Sequence, residues 1–266
     1  SRYIRPLGTD FNVGDRITAG RRLTPADVAM AASMNVPAVR VTRKPVVALI
    51  ATGDVLVIPG ETPGPDQIIA SNAFGLAAVL EDEGAEVRRL PIAQDNRASL
   101  EACFALARGA DLVVTIGGAS VGDHDLVGEV AAGLGLDRSF YKVAMRPGKP
   151  LMAGRLMDMP MIGLPGNPVS SMVCGHIFLR PAIRALLGLA AGALPRERAA
   201  LAGDVGPNGP REHYMRARAT PEGGVRVLER QDSSLLSVLS AADTLVVRPP
   251  HDPARKAGES VELLRL

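Results

Sequence analysis

From residue 46 onward, two patterns alternate along the chain. Residues 46–52 and 112–116 are nearly unbroken apolar runs, as expected of strands buried on both faces. Between and after them, apolar residues recur every three or four positions. Ser71 or Asn72 opens a helix with Phe74, Ala77, Ala78 and Glu81 on successive turns, and Gly84 stops it. Asp95 or Asn96 opens another through Leu100, Cys103, Phe104 and Ala107, with Gly109 just past its end. Residues 87–92 read as a weaker strand, interrupted by Arg88 and Arg89. A further helix starts near Leu126, strands are expected over 140–144, 151–153 and 161–164, and residues 169–187 form a long apolar helix. Such alternation predicts an α/β domain over 46–190, a doubly wound, mostly parallel sheet with helices on both faces.

The flanks differ. Residues 1–45 are a lead segment with one helix, where Thr24 is the N-cap and Pro25 takes the first helical position. That helix ends near Asn35, and 39–41 is expected as a strand. Residues 191–198 read as a linker. Short strands over 214–219 and 225–229 flank Pro221-Glu222-Gly223-Gly224, a hairpin signal. With 245–248 and 261–264 they predict a small C-terminal β domain over 191–266.

Composition narrows the function classes. Hydrophobic residues are 47% and charged residues 22% of 266, which is globular. Trp is absent and aromatics are 3%, so the core must be aliphatic. A net charge of +2 argues against nucleic acid as the main partner. No apolar run reaches the ~20 residues that cross a bilayer, and no membrane partner is expected. Cys103 and Cys174 lie in apolar helical stretches, as buried thiols of a reducing compartment do, so the expected location is the cytoplasm. The chain opens at Ser1 directly in a structured pattern, without Met or a signal peptide, as a fragment would.

Candidate chemistry sits at strand-to-helix junctions, where open α/β sheets bind ligands. In residues 115–125, Gly117 and Gly118 let backbone N–H groups approach an anion, Ser120 adds a donor, and Asp123 and Asp125 are carboxylates suited to Mg²⁺. The same residues also read as a tight turn followed by capping aspartates. Gly166, Asn167, Ser170 and Ser171, between Pro165 and Pro168, offer donors on a fixed backbone path, or simply a rigid turn. Arg146 and Lys149 in Arg-Pro-Gly-Lys-Pro suit oxyanions, or form a solvated basic face. Thr52, Gly53 and Asp54 close the first strand; Asp54 reads as catalytic, metal-binding or turn-forming, and Asp95 as an N-cap. Of the four histidines, only His124 lies beside this chemistry.

Taken together, Thr52-Gly53-Asp54, Gly-Gly-x-Ser-x-Gly-Asp-x-Asp, Arg-Pro-Gly-Lys-Pro and Gly-Leu-Pro-Gly-Asn-Pro-Val-Ser resemble, in order and spacing, the MoeA-type molybdopterin molybdenumtransferases, relatives of the gephyrin E domain. The resemblance implies a homodimeric enzyme that takes adenylylated molybdopterin and molybdate, uses Mg²⁺, and releases AMP. An adenylyltransferase of the same pathway is an implied partner. It implies catalytic or metal roles for Asp95, Asp123 and Asp125, the last two as metal ligands, and an oxyanion or phosphate grip for Arg146 and catalytic Lys149. It implies a pterin-phosphate pocket at Gly117, Gly118, Ser120, Asn167 and Ser170, with Thr52, Gly53, Asp54 and Gly166 beside it. Two departures stand out. Val55 occupies a position where the family usually has Glu. The family's N-terminal lid-like portion is not in these residues, so that the lead segment reads as a remnant of it. The alternatives are an adenylyltransferase of the same fold, or a binding or scaffold protein that keeps the pocket without turnover.

Overall fold

The computed structural model describes residues 4–18, 20–118, 125–190 and 192–266. Helix α1 (Pro25–Ser33) begins as expected: Thr24 Oγ1 accepts from the Asp27 amide at 3.2 Å, and the Asp27 carboxylate accepts from the Thr24 amide at 2.7 Å. Residues 39–41 do not form the expected strand. A strand needs a neighbouring ladder, none pairs with these residues, and Val39 and Val41 stay exposed.

Next come β1 (Val46–Ala51), a short parallel pair β2 (Leu56–Val57) and β3 (Ile68–Ile69), α2 (Asn72–Glu83), β4 (Glu86–Arg89), α3 (Arg97–Leu106), β5 (Leu112–Ile116) and α4 (Leu126–Gly133). Gly84 ends α2 in the left-handed region at φ 105°. The expected strand over 140–144 is displaced. β6 (Leu136–Tyr141) ends where Lys142 turns to φ 72°, and the chain then forms a separate two-residue strand, β7 (Met145–Arg146). After β8 (Met152–Leu156) and β9 (Met159–Leu164), the long apolar helix runs as α5 (Pro168–Cys174), a π-helical turn (Gly175–Leu179) and α6 (Arg180–Leu186).

The main sheet has the order β4-β1-β5-β9-β8-β6. β4, β1, β5 and β9 are parallel, while β8 and β6 are antiparallel additions. Side chains along β1 alternate between two cores, as the pleat requires. Val47, Leu49 and Ala51 face the core shared with α2 and α5, whereas Ala48 and Ile50 face that of α3 and α4. The sheet is thus covered on both faces, with aliphatic residues filling both cores.

The C-terminal stretch forms β10 (Glu197–Ala200), β11 (Glu212–Ala219), β12 (Val225–Val227), α7 (Leu236–Ser240), β13 (Thr244–Arg248) and β14 (Ser260–Arg265). Part of the expected linker is therefore strand. β10 escapes a pattern search because Glu-Arg-Ala-Ala carries no strong apolar alternation; its ladder with β14 holds it. The second sheet runs β10-β14-β13-β11-β12, and β7 pairs with β11. Tyr214, Leu245, Val247 and Leu264 from this sheet join the first core.

Candidate functional site

The order in which strands are added to the sheet reverses between the parallel strands β1 and β5. From β1 the chain crosses to β4 on one side, and from β5 it continues on the other, so the loops at their carboxyl ends part and leave a crevice. A cleft of about 410 Å³ lies there, lined by Thr52, Val55, the β3–α2 junction, Gly117, Gly118 and residues 165–168.

The glycines are required by close approach. Gly117 has φ 94°, and a Cβ on it would stand 2.8 Å from the Thr52 carbonyl oxygen. On Gly118, at φ 68°, a Cβ would stand 2.2 Å from Val127 Cγ2. Thr52 is itself buried, with its hydroxyl 3.4 Å from the Ile116 carbonyl it donates to. Gly166 and Asn167 are exposed at the cleft, and Asn167 Nδ2 donates to Ser233 Oγ at 3.3 Å. Ser170 is buried inside α5 and outside the described cleft lining; Asn72 lies there instead. No ionised side chain belongs to the described lining.

The carboxylates separate into different tasks. Asp54 and Asp95 exchange bonds: the Asp95 amide donates to Asp54 Oδ1 at 2.8 Å, and the Asp54 amide to Asp95 Oδ2 at 3.3 Å. Asp95 is therefore not the cap of α3; Asn96 is, accepting from the Ser99 amide at 2.9 Å. Asp125 caps α4, accepting from the Gly128 amide at 2.9 Å. Ser120, Asp123 and His124 lie outside the described residues. Among those described, no three His, Cys, Asp or Glu side chains cluster as a metal site. Val55, where a carboxylate was expected from the resemblance, is 47% exposed at the cleft.

Lys149 is exposed next to the cleft-lining Pro150, with no bond to its ammonium among the described residues. Arg146, exposed on β7, stands in register with His213 of β11. This pairing leads to groups the sequence reading missed. Arg216 has no exposed surface; Nη2 donates to the Asp232 carbonyl at 3.0 Å, while Nε and Nη1 have no partner among the described residues. Burial and the charge of Arg146 lower its pKa. Burial, followed by Arg146, Arg216, Arg248 and Arg211, pushes His213 down to about 4, and its Nε2 is unpartnered. Arg248 is satisfied by Asp252 and two carbonyls. Arg146 and Arg216 are thus two cations near one another beside a neutral His213, and the unpartnered guanidinium nitrogens of Arg216 favour an incoming oxyanion. The sequence around it, Arg216 and Arg218 alternating with Ala217 and Ala219, is indistinguishable from ordinary strand alternation.

Residues 48–185 match a family model described as a probable molybdopterin binding domain, and residues 198–266 one described as the MoeA C-terminal region (domain IV). A molybdopterin molybdenumtransferase from Nostoc sp. is 38% identical over 198 residues, 73% of this chain and 45% of that protein. One from Bacillus subtilis is 32% identical over 270 residues, 98% of this chain and 62% of that protein. The crystal structure of the molybdopterin biosynthesis MoeA protein from Pyrococcus horikoshii matches with a TM-score of 0.80 at 28% identity, over 92% of this chain and 60% of that one. The chain spans about half the length of the curated relatives it matches, 45% and 62% in these two cases.

Proposed function

The chain belongs to the MoeA-type molybdopterin molybdenumtransferase family, and we propose that its cleft takes the pterin of adenylylated molybdopterin while the adjoining cations hold the oxyanions exchanged there. The observation that carries this reading is the neutral cleft, linked through the Asn167–Ser233 bond to the segment whose Asp232 carbonyl holds the buried Arg216, two of whose three guanidinium nitrogens have no partner among the described residues. The neutral walls suit a heterocycle, and about 410 Å³ is within the usual range for small-molecule sites. Gly117, Gly118, Gly166 and Asn167 bring backbone close to it, with Thr52, Gly53 and Ser170 supporting the walls. Arg146, Lys149 and Arg216 are the proposed grip on molybdate and on the pyrophosphate; charge developing on a departing AMP would be met by fixed cations.

Mg²⁺ belongs to the proposal only as a companion of substrate phosphates. Asp125 is engaged as a helix cap, and Asp54 and Asp95 hold each other's amides. The described carboxylates do not fit a metal site by themselves, and no step is assigned to the ion. Homodimerisation, delivery of substrate by an adenylyltransferase and a cytoplasmic location complete the proposal. Among the described residues no helix is long and apolar enough to cross a membrane.

The test is incubation with adenylylated molybdopterin and molybdate, following AMP. Molybdate-dependent AMP release supports the reading. Tight pterin binding without AMP would make the chain a binder, and AMP transfer from ATP to molybdopterin would make it an adenylyltransferase.

A further inference from the structure

Two peptide planes of the loop between β9 and α5 are held by their carbonyl oxygens. Asn72, the first residue of α2, donates through Nδ2 to the Gly166 carbonyl at 2.8 Å and lies 3.4 Å from Ser171 Oγ. Ser171, fully buried in α5, donates to the Pro165 carbonyl. In a trans peptide, C=O and N–H project from opposite edges of one plane. Holding the Pro165 oxygen therefore aims the Gly166 N–H, and holding the Gly166 oxygen aims the Asn167 N–H, each away from its clamp. Neither amide has an acceptor among the described residues. Both residues are exposed and line the cleft.

Asn suits the task because its amide nitrogen carries two hydrogens, enough for one carbonyl and one hydroxyl. Asp at the same place would present only acceptors to the Gly166 oxygen. The alternative peptide orientation, with the Gly166 carbonyl toward a ligand, would offer lone pairs where an anion needs hydrogens. Successive N–H groups on one loop form a receiver for an anionic oxygen without any side-chain charge. That matches a cleft whose described walls carry none.

We propose that Asn72 is a positioning residue that sets the polarity of this loop: carbonyls bonded back to α2 and α5, amides left for a ligand oxyanion. The proposal rests on the cleft being a ligand site, but not on turnover. The probe is AMP, titrated into ¹⁵N-labelled protein while the Gly166 and Asn167 amide signals are followed, with thermal melts alongside. In the unaltered protein both amides are expected to move on AMP addition. Asn72→Asp is expected to shift both signals before any ligand is added, to abolish their response, and to weaken AMP binding about ten-fold. If N72D melts early, Asn72→Ala, which removes the donor without adding charge, carries the same expectation. Wild-type amide response and affinity in a folded N72D or N72A protein would overturn the proposal, as would amides silent to AMP in the unaltered protein. A protein whose amides respond as expected but which releases no AMP from adenylylated molybdopterin would instead count against the proposed reaction alone.

Discussion

Two regions are linked by the Asn167–Ser233 bond, and they offer a ligand opposite kinds of surroundings. On one side, the cleft at the β1 and β5 ends has neutral described walls and relies on backbone brought close by Gly117, Gly118 and Gly166. On the other, β7 and β11 carry Arg146 and Arg216, the second with its guanidinium fully buried and two of its nitrogens unpaired among the described residues. The first is built for fit and the second for charge. Tight backbone packing costs the fold little, whereas a buried unpaired cation destabilises the ligand-free protein. The cationic side therefore carries an unmet demand for an acceptor, and the neutral side does not.

The difference can be broken or sharpened by substitution. The largest effect is expected from Gly118→Ala, where a Cβ would overlap Val127 at 2.2 Å and φ is 68°. It should cost about 2–4 kcal/mol of stability, read by denaturant unfolding; a smaller cost would mean that the turn repacks and that fit is not its purpose. Arg216→Met should act in two directions. Molybdate affinity should fall by about 1.5–3 kcal/mol in calorimetry, while the ligand-free protein should melt no earlier, because an unpaired buried charge is removed. Early melting with unchanged molybdate binding would place Arg216 in the fold rather than the site.

A pH effect of at most about 3 kcal/mol follows from His213, at roughly 1.4 kcal/mol per pK unit. Its folded pKa, about 4, lies below the ordinary 6.5. The unfolded chain therefore takes up a proton first, and stability present above pH 6.5 is lost as pH falls toward 4. His176, pushed to about 4 by burial and Arg180, adds a loss of the same sign. His213→Gln should flatten part of this slope; an unchanged slope would assign it to His176 and the carboxylates. The smallest effect belongs to Lys149→Ala, since its charge is exposed and screened. Oxyanion affinity should fall by ~1 kcal/mol, and less in high salt.

Punctuation by glycine, proline and buried apolar runs made the parallel sheet and the cleft loops legible in the sequence. Gly117, Gly118 and residues 165–168 lie where those signals put them, because close approach restricts which residues fit. Capping was less distinct: Asp95 and Asn96 are equally able caps, and only the Asp54–Asp95 exchange of bonds decides between them. The strand expected over 140–144 failed because Lys142 adopts a positive φ that its residue type does not announce. The nearness of Arg146 and Arg216 was illegible for another reason. Arg146 and Arg216 are 70 positions apart (216 − 146), and what joins them is a ladder pairing between β7 and β11.

That ladder has a consequence for modularity. β7 is two residues long and lies in the chain between β6 and β8 of the main sheet, yet its hydrogen bonds belong to the C-terminal sheet. The Glu212 amide donates to the Ala144 carbonyl at 3.0 Å, and Tyr214, Leu245 and Leu264 fill a core begun by Val47 and Leu49. A cut between residues 190 and 198 would follow the change in composition, but it would tear strands from both neighbours and expose a shared interior. The C-terminal region is thus not an appendage that can be exchanged between relatives at that point. It should lose structure in the same cooperative transition as the sheet in front of it, so that grafts and truncations must carry the Met145–Arg146 strand together with its partner.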